Sequence, residues 1–251
     1  MNIKKLLVGL TIFLIGMLGI LSMLTMDIPI PDETEALLLD RFSPFEIQLL
    51  LLVNPTILLL IAVVVGTILF QKVRLSAPII ERAVGIPNED DVKQSIIQGI
   101  SGGVIAGILL SLIGMIFTPI LPHEFKELGE ALKPTLASRI LYGGFTEEIM
   151  MRFGLMTLIV WIISKVTNRL GSVEFWVGIL LASLLFAVGH FPVAFQAVES
   201  PSAGLLTYIL LGNTLGGIIF GWLYWKKGLE AAFLGHIFAH VIMVISEPLI
   251  N

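Results

Sequence analysis

Six ionisable side chains that can take part in acid–base chemistry lie within long apolar stretches of the sequence. They are Glu147, Glu148, Arg152, His190, His236 and His240. An ionisable group inside a bilayer costs about 2.5–3.5 kcal/mol on insertion scales, so such groups usually face a cavity or a partner. A polar network that only holds helices together rarely needs so many of them. The set therefore predicts a functional site.

The spacing of these residues along a helix indicates which of them can pair. Glu148 and Arg152 are four residues apart, so they share a helix face and can form an ion pair. For these two residues taken alone, a structural ion pair is the plainer interpretation. Glu147 is rotated by about 100° from Glu148, so its carboxylate can stay free. His236 and His240 are also four residues apart and point the same way.

Two kinds of hydrolytic chemistry fit this set. In the first, Glu147 is a general base that activates a water molecule held with His190. His236, together with His240, then donates hydrogen bonds to the oxyanion of a tetrahedral intermediate. In the second, Glu147 and these three histidines bind Zn²⁺, which activates the water. The His-Glu-x-x-His signature of zinc proteases is missing from the sequence, so no cofactor is favoured and zinc stays the alternative.

Three short motifs carry a resemblance to a known family. They are Glu-Glu-x-x-x-Arg at Glu147, Glu148 and Arg152, Phe-x-x-x-His at Phe186 and His190, and a final histidine pair at His236 and His240. With these motifs in this order, each on its own apolar stretch, the sequence resembles the CPBP family of intramembrane proteases. That family contains the type II CAAX prenyl endopeptidases and the bacteriocin-processing and self-immunity proteins. The resemblance covers about residues 137–245.

The resemblance implies catalytic roles for four residues. Glu147 would be the catalytic base, and His190 would act with it on the water. His236 and His240 would form the oxyanion site. His240 departs from the family pattern, which has Asn or Asp there. A neutral imidazole can still donate one hydrogen bond or ligate a metal, and the change also fits a member that has lost activity.

Four further residues are expected to support the site. They are Glu148, Arg152 and Phe186 from the motifs, and Asn213, a polar residue on another apolar stretch. The resulting prediction is an endopeptidase that hydrolyses peptide bonds of membrane-associated proteins or peptides. One alternative is a non-catalytic immunity or partner-binding membrane protein of the same family. A less favoured alternative is a proton-coupled transporter that uses the acids and histidines as a relay.

The composition of the chain indicates how these residues must be positioned. Of the 251 residues, 56% are hydrophobic and 14% are charged, against roughly 45–50% and 25% in soluble domains. Seven stretches are long and apolar enough to span a bilayer as helices: 6–26, 45–70, 96–117, 137–163, 175–191, 205–224 and 229–250. The predicted fold is an all-α polytopic membrane bundle of about seven to eight transmembrane helices.

The chain is expected to divide into N-terminal transmembrane helices, 1–118, and a CPBP-like catalytic helical core, 119–251. If the N-terminus is cytoplasmic, most Lys and Arg side chains of the loops lie in the cytoplasm, which favours this orientation in the cell membrane. A net charge of −4 without a basic tract argues against nucleic acid as a partner. Membrane lipids and a membrane-associated substrate remain as partners, and no sequence pattern sets the oligomeric state. The absence of cysteine excludes a cysteine nucleophile.

Overall fold

The computed structural model describes residues 2–26 and 28–250, and within these residues every regular element is helical. The α-helices are α1 (Ile3–Ser22), α2 (Asp32–Leu39), α3 (Pro44–Leu51), α4 (Val53–Leu69), α5 (Pro78–Ala83), α6 (Val92–Phe117), α7 (Pro122–Ala131), α8 (Thr157–Thr167), α9 (Ser172–Gly189), α10 (Phe191–Ala197), α11 (Ala203–Lys227) and α12 (Leu229–Ile250). Two π-helices, Ser138–Glu147 and Ile149–Met156, precede α8, and short 3₁₀ turns follow α1 and α4.

Seven helical segments in the described part of the chain are long and apolar enough to cross a membrane. They are numbered here as the first to seventh spans: Ile3–Thr25, Pro44–Val73, Val92–Phe117, Ser138–Thr167, Ser172–Ala197, Ala203–Lys227 and Leu229–Pro248. This confirms the predicted all-α polytopic bundle. The short helices α2, α5 and α7 lie in the polar connections between the spans. The division at residue 118 stays a prediction.

The second span is interrupted at Leu52. Helices α3 and α4 meet at Leu52, which belongs to neither of them. Pro55 therefore lies in the first turn of α4, where the amide that proline lacks would have no partner within the helix. The span continues to Val73, so one broken helix crosses the membrane here.

Helix α6 packs closely along α12, which carries two of the candidate histidines. Glycine makes this approach possible at Gly107, where an added Cβ would lie 2.6 Å from Ile242 Cβ and 2.8 Å from the carbonyl oxygen of Ala239. Small residues allow such close packing of membrane helices. Helix α6, which belongs to the N-terminal half of the chain, thus packs directly against α12.

The start of α12 is anchored by the turn that joins it to α11. Gly228 takes a φ of +89°, a conformation that favours glycine. The amide of Leu229 donates to the carbonyl oxygen of Ser76 at 3.0 Å. The buried carboxylate of Glu230 accepts a hydrogen bond from the amide of Ile80 at 2.8 Å. These contacts fix where α12 begins and therefore the height of His236 and His240 in the bundle.

Candidate active site

The fourth span is π-helical on both sides of Glu148. The π-helices Ser138–Glu147 and Ile149–Met156 carry the other members of the Glu-Glu-x-x-x-Arg motif. A π-helix is wider than an α-helix and is found mostly as short segments at functional sites. The buried Thr146 hydroxyl donates to the carbonyl oxygen of Gly16 in α1 at 2.7 Å. This contact helps to fix the rotation of the span next to the two glutamates.

Glu148 lies at the centre of a buried cluster of charged and polar side chains. Its Oε1 is 2.9 Å from Nδ1 of His236, and its Oε2 is 3.2 Å from Nε of Arg152. The side chains of Glu148 and Arg152 are 0% and 1% exposed. The ion pair predicted from the four-residue spacing is therefore present. The hydrogen bond between Glu148 and His236 was not predicted.

The guanidinium of Arg152 lies between two aromatic rings. Its Cζ is 5.2 Å from the ring centre of Phe186 and 5.8 Å from that of Phe220. Aromatic rings attract cations in this way. The contact with Glu148 is an ion pair without hydrogen-bond alignment, since none of the three guanidinium nitrogens forms a hydrogen bond with a residue that the structure describes. Phe186 thus packs on the guanidinium of Arg152, and its supporting role stays a prediction.

Glu147 has different surroundings from Glu148. Its side chain is 18% exposed and faces a cavity of about 590 Å³ that His190 also lines. Its Oε2 lies 3.9 Å from Nε2 of His236, beyond hydrogen-bond length. The Glu147 carboxylate therefore stands between this cavity and the buried cluster, and it has no arginine partner among the described residues.

The cavity, called the main cavity below, is largely apolar. Helix α4, the fourth span, α9 and the segment after α1 contribute its walls, which include Met150 and Met151 beside the glutamates. Its polar lining consists of Tyr142, Glu147, His190 and Gln196. A large apolar cavity with a few converging polar groups is typical of a binding or active site.

His190 lies directly after α9 and is held by that helix. Its Nδ1 is 2.8 Å from the carbonyl oxygen of Phe186, and the two rings meet edge to face with their centres 4.6 Å apart. Because a carbonyl oxygen can only accept, we assign the ring proton to Nδ1. Nε2 then keeps its lone pair and can accept a hydrogen bond from water. His190 and Glu147 both line the main cavity. The hydrogen bond of the His190 ring, however, is made to the carbonyl oxygen of Phe186.

A second, smaller cavity of about 140 Å³ lies on the other side of Phe186. His236, His240 and Asn213 line it, and Phe186 borders both cavities. The rings of His236 and His240 stack with their centres 4.8 Å apart. Nδ1 of His240 is buried and has no hydrogen-bond partner among the described residues. The structure thus brings the two histidines together, as their spacing predicts.

Asn213 is placed by its own helix. Its side-chain amide donates to the carbonyl oxygen of Ile209 in α11 at 2.9 Å. This bond leaves its side-chain oxygen as the group free to meet a ligand in the smaller cavity. Asn213 therefore lines the smaller cavity beside the two histidines.

The four residues considered as zinc ligands do not form a ligand set in this arrangement. Glu147 and His190 line the main cavity, whereas His240 lines the smaller one. Nδ1 of His236 is bonded to Glu148. Across residues 2–26 and 28–250, no three His, Asp or Glu side chains converge as metal ligands.

The sequence prediction missed three residues at the site. Tyr142 and Gln196 line the main cavity. Phe220 stacks on His236 with ring centres 4.6 Å apart. Tyr142 lies five residues before Glu147, about one turn of a π-helix. The sequence analysis assumed an α-helical period, which does not place these two side chains on the same face. Phe220 and Gln196 carry no signal in the sequence.

Comparison with known proteins agrees with the motifs. Residues 131–242 match the family model described as Type II CAAX prenyl endopeptidase Rce1-like. The match includes every residue of the three motifs and Asn213. No curated protein and no solved structure shows a significant match to the chain.

Proposed function

We propose that this multi-pass membrane protein, in which residues 131–242 match the Rce1-like type II CAAX prenyl endopeptidase family model, is an intramembrane endopeptidase. It hydrolyses peptide bonds of membrane-associated proteins or peptides with a water molecule activated by Glu147. The observation that carries the proposal is the Glu147 carboxylate, which faces a largely apolar cavity of about 590 Å³ together with His190.

Glu147 and His190 act on the water in this mechanism. The carboxylate of Glu147 takes a proton from water, and Nε2 of His190 accepts the second hydrogen bond that orients the molecule. Glu148 does not compete for this role, because Arg152 and His236 occupy its two oxygens. The water oxygen then attacks the carbonyl carbon of a peptide bond held in the main cavity.

His236 and His240 meet the oxyanion of the tetrahedral intermediate. A hydrogen bond from a ring N–H stabilises negative charge that develops on the carbonyl oxygen, most strongly where water is excluded. His236 is buried and lies 3.9 Å from Glu147, so it is close to the reacting atoms. His240 stacks on it and completes the donor pair in place of the usual Asn or Asp.

The lining of the main cavity indicates the kind of substrate. Its walls are mostly apolar side chains of α4, the fourth span and α9. Such walls suit an apolar peptide segment that arrives from the bilayer. We propose that the protein lies in the cell membrane with a cytoplasmic N-terminus and that its partners are lipids and the substrate.

The test is cleavage by the purified full-length protein in lipid nanodiscs. The protein is incubated with peptides from a membrane proteome, and new N-termini are identified by mass spectrometry. We expect the wild type to generate new termini and the Glu147→Gln protein to generate none above background. Wild-type protein that folds but cleaves nothing would favour the non-catalytic immunity or partner-binding alternative, which the His240 departure also fits.

A further inference from the structure

The hydrogen bond between His236 and Glu148 determines which ring nitrogen carries the proton. Nδ1 of His236 lies 2.9 Å from Oε1 of Glu148. Oε2 of the same carboxylate lies 3.2 Å from Nε of Arg152, and an ionised carboxylate can only accept hydrogen bonds. With an ionised carboxylate beside Arg152, the N–H lies on Nδ1. In the neutral ring, Nε2 is left with a lone pair.

The other ring nitrogen of His236 points toward Glu147. Nε2 lies 3.9 Å from Oε2 of Glu147. The titratable and charged groups around the ring are Glu147, Glu148 and Arg152 of the fourth span, His190 after α9, and His240 on α12 itself. Phe220 of α11 covers one face of the ring. Nε2 thus holds its lone pair 3.9 Å from the carboxylate that removes a proton from water.

We propose that Glu148, held by Arg152, is a positioning residue that fixes the tautomer of His236, so that His236 takes over the proton that Glu147 removes from water. This inference rests on the proposed function. It also explains how a ring that already donates to Glu148 can donate to an oxyanion: Nε2 becomes a donor only after it has received that proton. A carboxylate partner stabilises the imidazolium that forms, as it does in Ser-His-Asp enzymes.

The proton and electron pairs balance over the cycle. Water gives a proton to Oε2 of Glu147, its oxygen bonds to the carbonyl carbon, and the carbonyl electron pair moves to the oxyanion. The proton then passes from Glu147 to Nε2 of His236, which donates its new N–H to the oxyanion. On collapse, the carbonyl bond re-forms, the C–N bond breaks, and the leaving nitrogen takes the proton from His236. Glu147 is again ionised, and His236 is again neutral.

The separation of 3.9 Å between Glu147 and His236 is longer than the 2.6–3.2 Å over which a proton moves directly. A side-chain rotation of Glu147 or one bridging water closes this gap. Catalytic hydrogen bonds are often long before substrate binds. Glu148 and Arg152 are both fully buried, so His236 is the fixed partner and Glu147 is the one that moves.

The first test measures the tautomer directly. The chain has four histidines, so the full-length protein labelled with ¹⁵N-histidine in nanodiscs gives few imidazole signals, and His236→Gln assigns those of His236. We expect Nδ1 of His236 to carry the proton in the wild type. Glu148→Gln should shift the signals toward the Nε2–H form, because an amide can donate to Nδ1. Arg152→Lys, which keeps the charge, should retain the wild-type tautomer.

The second test separates positioning from simple structural support. Glu148→Gln should lower kcat by about 100-fold or more and change its pH profile, with KM little altered. Glu174→Gln is the matched control: it replaces a buried carboxylate that accepts hydrogen bonds from Thr167 and from the amide of Gly171, away from both cavities, and should leave the His236 signals and kcat unchanged. If Glu148→Gln is too unstable to assay, the spectra of the wild type and of Arg152→Lys still show whether Nδ1 of His236 carries the proton.

The outcomes distinguish this inference from the proposed function. A neutral wild-type His236 with its proton on Nε2, or a Glu148→Gln protein with unchanged spectrum and kcat, overturns the inference. A wild type that shows the Nδ1–H tautomer but cleaves no peptide contradicts the proposed function and leaves only the positioning of His236 by Glu148 standing. A wild type that cleaves peptides through Glu147 while His236 carries its proton on Nε2 contradicts the inference alone.

Discussion

At the scale of single residues, two adjacent glutamates have different surroundings and therefore different roles. Glu148 is fully buried and bound by Arg152 and His236. Glu147 is partly exposed to the main cavity. Both carboxylate oxygens of Glu148 already have partners, whereas the carboxylate of Glu147 faces the cavity, where a water molecule can reach it. This contrast is the basis for assigning the base to Glu147.

Tyr142 provides a test of the polar lining at this scale. Its hydroxyl shares the main cavity with Glu147 and His190, where it can donate to the water or to the substrate. We expect Tyr142→Phe to lower kcat/KM by about 2- to 12-fold, which corresponds to the loss of one hydrogen bond of about 0.5–1.5 kcal/mol. Steady-state rates on a cleaved peptide measure this.

The control for Tyr142 is Tyr224. Its buried hydroxyl lies 3.1 Å from that of Thr157 and lines neither cavity. Tyr224→Phe should reduce thermal stability and leave kcat/KM unchanged. If both substitutions changed kcat/KM equally, the Tyr142 hydroxyl would have no specific role in the site.

At the scale of helices, the site depends on how closely the fourth span approaches α12. At Gly143, an added Cβ would lie 2.7 Å from Nε2 of His240 and 3.5 Å from Nε2 of His236. We expect Gly143→Ala to displace His240 and to lower activity by at least 10-fold, with a destabilisation of about 1–3 kcal/mol from overpacking. The measurements are kcat/KM and thermal unfolding in nanodiscs.

Gly129 is the matched control for this glycine. It lies in α7, and an added Cβ there meets nothing within 4 Å. Gly129→Ala should leave the activity unchanged and stabilise the helix slightly, because alanine has the higher helix propensity. An active Gly143→Ala protein would mean that the fourth span and α12 are not packed as described.

The helices also show how much of the site could be predicted from the sequence. The seven apolar stretches, the pairing of Glu148 with Arg152 and the neighbouring rings of His236 and His240 follow from length and spacing alone. The π-helical turns around Glu148 do not, because an α-helical period was assumed for the fourth span. The bond from His236 to Glu148 depends on how α12 is rotated against that span, and only tertiary packing at Gly143 and Gly228 sets this rotation.

At the scale of the whole molecule, the arrangement of the site has a consequence for metal dependence. The candidate ligands divide between the two cavities, and His236 is bonded to Glu148. We expect cleavage to continue after dialysis against a strong zinc chelator, with the rate reduced by less than twofold. Loss of activity that added Zn²⁺ restores would instead require these side chains to rearrange around a metal.

The orientation in the membrane can be tested because the chain contains no cysteine. With a cytoplasmic N-terminus and seven spans, Glu89 lies in the cytoplasm and Lys126 outside. Both side chains are exposed. A membrane-impermeant maleimide should label Lys126→Cys in intact cells and Glu89→Cys only after lysis. The reverse pattern would show that the N-terminus lies outside.

The central claim is that the Glu147 carboxylate activates the hydrolytic water. Its most direct test is the initial rate of peptide cleavage by Glu147→Gln protein, measured beside the wild type and Glu174→Gln in the same nanodiscs. The amide keeps the size of the side chain but cannot accept the proton, so the rate should fall by about 10²–10⁴-fold, while Glu174→Gln cleaves at the wild-type rate. A folded Glu147→Gln protein that cleaves as fast as the wild type would contradict the mechanism.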